Sequence, residues 1–258
     1  MFRMLKILPL LLALGTLGIF ATSCGTDHSK VRVVHASPDS PAIDVAVDGK
    51  TVVTNLAFGG VSPATGYLTV TAGNRKVEVR ATGTTTDLIN SNVSFGSGKQ
   101  YTAIASGFMT PPPNSDPNVV GIAAVVLTDD NSAPASGNVK LRVVHDAPGN
   151  GVPPSPTCVP PQQTCLLVAL DVYIVAPGGD TSGSPTISNL AYGQASDYQS
   201  VTPTNGQIQV IFTVAGDKTP VINQTYSLTT GQIRTLVTVN VQAGLTMATT
   251  PLLLSDLN

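Results

Sequence analysis

Polar and apolar residues alternate along much of this chain with a period of two. In "KVRVVH", Val31, Val33 and His35 fall on one face, Arg32 and Val34 on the other. "IDVAVDGKTVV" sets Ile43, Val45 and Val47 against Asp44, Ala46 and Asp48. In "RKVEVRA", Val77, Val79 and Ala81 alternate with Glu78 and Arg80. Successive side chains of a strand point to opposite faces, so this period predicts half-buried strands. "GYLTV", "NVSF", "YTAIAS", "GIAAVVLT", "QIQVIFTV" and "RTLVTVNV" supply more. Asp48-Gly49 between two such runs predicts a tight hairpin, because both residues tolerate positive φ. Past residue 23 no stretch carries helical periodicity.

The pattern is written twice. "VRVVH" from Val31 returns as "LRVVH" from Leu141, 110 positions on. "NLAFG" from Asn55 returns as "NLAYG" from Asn189 at an offset of 134. "GKQYTAIAS" from Gly98 aligns with "GQIRTLVTV" from Gly231 at 133, and "VVLTDDN" ending at Asn131 with "LLLSDLN" ending at Asn258 at 127. Four anchors in one order indicate two tandem copies. The jump in offset places an insertion in the second copy, most of it between His145 and Asp171. So long a period is that of whole domains, not of solenoid repeats. "NSAPASGN" reads as a linker. The expected organisation is a domain over 30–131, a linker over 132–138 and a second domain over 139–258. Seven or eight short strands in about 100 residues is the immunoglobulin-like pattern. The expected fold class is therefore all-β, two tandem immunoglobulin-like β-sandwich domains.

Composition narrows the function. Charged residues make up 11% and the net charge is −2, so no electrostatic footprint for nucleic acid exists. An apolar fraction of 42% is too high for a disordered chain.

The N-terminus reads as an address. Arg3 and Lys6 precede an apolar run of 14 residues, Ile7 to Phe20, then small or short Ala21-Thr22-Ser23 and Cys24. That order is a secretion signal over 1–23, short of the roughly 20 apolar residues a spanning helix needs. The stretch resembles a bacterial lipoprotein signal. The resemblance implies that Cys24 becomes the first mature residue and carries the lipid. Residues 24–29 of "CGTDHSK" would then be a polar tether, with the membrane as partner through the anchor. Gly25 in place of Asp points to the outer membrane, so the expected localisation is the cell envelope.

Both copies resemble the domain of unknown function 4397 family of bacterial secreted and envelope proteins. The phrases that carry it are "RVVHASPDSPAIDVAVDG", "NLAFGGVS", "LTDDNSAPASGNVKLRVVH" and "NLAYGQASDY". The resemblance covers nearly the whole mature chain. It implies a β-rich extracellular module with no established activity.

The candidate chemistry is sparse. His35 and His145 each end a first strand and precede a proline turn. Asp39 and Asp44 follow one, Asp146 and Asp171 the other. One imidazole with two carboxylates is a donor set for a divalent cation. The competing reading is that each histidine fixes its turn by a hydrogen bond, and four-ligand structural sites favour it. Arg32 and Arg142 are expected either to pair with Asp44 and Asp171 on a neighbouring strand or to lie on a solvated face. Cys158 and Cys165 enclose "VPPQQT" in the insertion, and outside the cytoplasm such a pair reads as a disulfide. A stiff, proline-rich, stapled loop is a place for a binding surface. "FGSGKQ" lacks the residues of a phosphate loop, and three His leave little for a catalytic triad. The expected function is a non-catalytic binding or structural module of the envelope, without a cofactor. Its partner would be an envelope polysaccharide, peptidoglycan or a protein. The alternative is a metal-binding protein or metal-dependent enzyme with one site per copy.

Overall fold

The alternating segments fold as strands. A computed structural model describes residues 27–112, 120–148, 168–242, 244 and 247–256. The expected signal over 1–23, Cys24, and the expected disulfide partners Cys158 and Cys165 lie outside the described residues. The first half contributes β1 (His28–His35), β2 (Ile43–Val47), β3 (Lys50–Leu56), β4 (Val61–Ser62), β5 (Leu68–Thr71), β6 (Gly73–Ala81), β7 (Asp87–Phe95), β8 (Gln100–Ser106) and β9 (Ala123–Thr128). One sheet runs β4-β1-β8-β9, with β5 also on β1, and the other runs β3-β2-β6-β7.

The second half repeats this plan. Its strands are β10 (Val139–His145), β11 (Leu170–Val175), β12 (Ile187–Leu190), β13 (Gln199–Val201), β14 (Gln207–Val214), β15 (Pro220–Ser227), β16 (Ile233–Thr238) and β17 (Leu252–Ser255). They order as β13-β10-β16-β17 and β12-β11-β14-β15. Among the described residues no sheet takes strands from both halves. The protein is all-β and consists of β-sandwich domains. The registers match as well. β1 runs parallel to β8 with Lys30 opposite Gln100 and His35 opposite Ala105. β10 runs parallel to β16 with Lys140 opposite Ile233 and His145 opposite Thr238.

The hairpin joining β2 to β3 turns at Asp48 (φ 50°) and Gly49 (φ 76°), with Val47 opposite Lys50. Inward residues fill each sandwich: Val31, Val33, Ile43, Val45, Val79 and Ile89 in the first, Leu141, Val143, Val172, Val210, Phe212 and Leu236 in the second. A cavity of about 40 Å³ lies among Val31, Val79, Ala103 and Ala105. The registers place Leu141, Phe212, Leu236 and Thr238 at the matching positions of the second.

Two expectations change here. β1 begins at His28, and Ser29 Oγ donates to the Gly96 carbonyl at 2.7 Å, so the sheet takes the last two residues of the expected tether. Moreover, β1 and β10 are buried on both faces. The second face of each packs against the other sandwich. Val34, Ala36 and Ile104 join Val144, Val237, Val239 and Leu254 in one apolar cluster along this seam.

Candidate functional site

The strand-end histidines act on backbone. His35 Nε2 donates to the Pro41 carbonyl at 2.9 Å, and His145 Nε2 to the Val168 carbonyl at 2.9 Å. With Nε2 protonated, Nδ1 of a neutral ring is the acceptor. In His145 it faces Thr238 Oγ1 at 3.1 Å. In His35 the matching residue is Ala105, and Nδ1 has no partner. Burial lowers the pKa of both rings, that of His145 to about 4. Each ring packs edge-on against an aromatic, Phe58 or Tyr192.

The candidate carboxylates are drawn to different backbone groups. Asp39 accepts from Met109 N and Thr110 N, both at 2.7 Å. Asp44 accepts from Asn55 N at 2.7 Å and Thr82 Oγ1 at 2.8 Å, and these bonds, Asn55 first, hold its pKa below the usual value. Asp171 accepts from Asn189 N at 2.8 Å and Gly216 N at 2.9 Å. Asn55 and Asn189 are both left-handed, with φ of 51° and 53°. A short amide side chain tolerates that conformation, and the aspartate secures the turn. Among the described residues no three His, Cys, Asp or Glu side chains converge as a metal-binding group.

Asp146 goes elsewhere. Its fully buried carboxyl accepts a short hydrogen bond from Ser106 Oγ of the first sandwich, and the Ser106 hydroxyl also touches Tyr192 OH at 3.1 Å. Its second oxygen is unpartnered. Burial raises its pKa to about 8, against the pull of the Ser106 bond.

The arginines correct the sequence reading. Neither pairs with Asp44 or Asp171, and neither is solvated: Arg32 is 1% exposed and Arg142 3%. They cross the seam instead. Arg32 Nη2 donates to Asp256 at 2.6 Å, and Arg142 Nη2 to Asp129 at 2.6 Å. Arg32 Nη1 donates to the Ser255 carbonyl at 2.7 Å, and Arg142 Nη1 to the Thr128 carbonyl at 3.1 Å. Each Nε bonds a threonine of its own half, Thr102 at 2.8 Å and Thr235 at 3.2 Å. Tyr67 OH donates to Asp129 at 2.8 Å and Tyr198 OH to Asp256 at 2.7 Å. Each guanidinium also stacks on its own tyrosine, 5.5 Å from the Tyr67 centroid and 4.8 Å from that of Tyr198. Burial alone would lower the Arg32 pKa, but Asp256 and then Asp129 more than offset it, and the pKa rises. Burial, then the facing aspartate, raises both tyrosine pKa values. Charged partners out of water need full hydrogen bonding to be tolerated, and here two cations meet two anions.

Beside this cluster the seam opens into a groove of about 470 Å³, lined by Thr128, Asp130, Arg142, Ser196, Asp197 and Tyr198. Asp130 is held there by Lys140 Nζ at 2.8 Å, which lowers its pKa. Sequence reasoning missed Asp129, Asp256, Thr102, Thr235, Tyr67, Tyr198, Ser106 and Tyr192. A signal existed for two of them: Asp129 and Asp256 occupy one position of the anchors "VVLTDDN" and "LLLSDLN".

The family model described as Domain of unknown function (DUF4397) matches residues 29–152, a span that takes in the first sandwich from the second residue of β1 onward and β10. That match supports the family read from the quoted phrases for the first copy. No curated protein matches the chain. Among solved structures, the chain is similar to a family 26 carbohydrate-binding module of Eubacterium rectale Amy13K in complex with maltoheptaose. Identity is 12% and the TM-score 0.25, over 86% of this chain and 97% of that one.

Proposed function

We propose that this protein is a lipid-anchored module of the bacterial cell envelope, probing or bracing its surroundings by binding and not by catalysis. The observation that carries this reading is where the polar side chains spend their hydrogen bonds. His35, His145, Asp39, Asp44 and Asp171 all hold backbone groups of turns. The buried Arg32–Asp256 and Arg142–Asp129 pairs hold one sandwich to the other. The second sandwich repeats the registers of the first, which supports a second copy of the same family module. The signal order ending at Cys24 supports export and lipidation, with the outer membrane as the site of attachment. An envelope polysaccharide, peptidoglycan or a second protein is the partner class within reach of such an anchor.

Two measurements test it. Cys24→Ala should move the protein from the membrane to the soluble fraction and abolish incorporation of labelled palmitate; retention in the membrane overturns the anchor. Gly25–Asn258 should keep its melting temperature with divalent metals and rise with an envelope polysaccharide or peptidoglycan fragment. A metal-dependent rise that disappears in the His35→Ala/His145→Ala double variant overturns this reading in favour of a metal protein.

A further inference from the structure

The contacts across the seam are reciprocal. The Arg of each sandwich meets the Asp of the other, and the carbonyl before that Asp takes the second guanidinium nitrogen. The threonine and tyrosine that support each Asp come from that Asp's own half. Residue i touches j′ and j touches i′, which is the signature of an isologous, two-fold interface. Each sandwich therefore carries both halves of the tie: Arg32 with Asp129, and Arg142 with Asp256. Each surface is complementary to itself.

We propose that the seam is a homotypic docking surface. The partner it fits is another sandwich of the same kind, and the two halves of this chain stand in the places of the two subunits of a symmetric dimer. The inference goes beyond the envelope reading and does not depend on it.

One pair breaks the symmetry. Asp146 meets Ser106 across the seam. The residues related to them by the repeat are Ala36 and Val239, both members of the apolar seam cluster. A pair of first sandwiches would set Ala36 near Ser106, a mild mismatch. A pair of second sandwiches would set the buried Asp146 carboxyl against Val239 and take away the Ser106 hydroxyl, the donor it has here. Burying a carboxyl without a partner is costly, so this contact selects the mixed pair over the second-with-second pair.

The test keeps both sandwiches as they fold together. A protease site replaces Ala133–Gly137 in Gly25–Asn258, leaving Lys140 its partners Asp130 and Ser132. The cleaved protein is diluted, re-concentrated and weighed by native mass spectrometry. First–second pairs should dominate, first–first pairs should appear, and second–second pairs should be at least tenfold scarcer than first–first. Asp146→Ala should raise second–second pairs several-fold. Mixed pairs alone, or only unpaired halves, overturn the homotypic surface. Second–second pairs as abundant as first–first overturn the selecting role of Asp146.

Discussion

The Arg142 guanidinium meets the Asp129 carboxylate at 2.6 Å with the two side chains only 4% and 0% exposed. Removing one partner from such a pair leaves the other buried and uncompensated. Arg142→Met should cost about 3–5 kcal/mol in urea denaturation, whereas Arg142→Met/Asp129→Leu should cost less than the single change. A double variant at least as unstable as the single one would refute the pairing as the source of the loss.

Asp146 and His145 give stability opposite slopes with pH. The folded pKa of Asp146 is raised to about 8 from an ordinary 3.8, chiefly by burial. Its contribution is whole below 3.8 and is lost as pH climbs towards 8. Burial depresses the pKa of His145 from 6.5 to about 4, so its contribution is whole above 6.5 and is lost as pH falls towards 4. Above 6.5, only Asp146 of this pair still titrates. Denaturation between pH 6.5 and 8 should therefore show a loss of about 1–2 kcal/mol in the native sequence. Asp146→Asn should be flat over that range and more stable at pH 8. Equal slopes in the two proteins would remove Asp146 as the cause.

The two histidine turns differ by one hydroxyl. Thr238 serves His145 Nδ1, while Ala105 leaves His35 Nδ1 bare and also lines the cavity of the first sandwich. Ala105→Thr should stabilise the protein by about 0.5–1.5 kcal/mol, through a new hydrogen bond and a filled void. Thermal unfolding reads it as a rise of a few degrees. A fall would mean that the added hydroxyl cannot reach the ring.

Much of the fold was legible because strand physics is local. The alternation at Ile43–Val47, the Asp48-Gly49 turn and the order of the repeat anchors each depend on neighbours in sequence. The seam was not legible, because its pairs join residues far apart. Arg32 and Asp256 are 224 positions apart, and nothing local ranks Asp256 above the nearer Asp44. Burial of both faces of β1 was the missed clue: Arg32 and Val34 share one face, and a valine there already asked for cover. The strand-end positions of His35 and His145 were legible, but only coordinates separate a ring bonded to a carbonyl from one waiting for a metal.

Reciprocal Arg–Asp pairs make the two sandwiches into one body. Differential scanning calorimetry of Gly25–Asn258 tests it most directly. One cooperative transition, with calorimetric and van't Hoff enthalpies in agreement, is the predicted result, and Arg32→Met/Arg142→Met should split it in two. Two separate transitions in the unaltered protein would contradict the account.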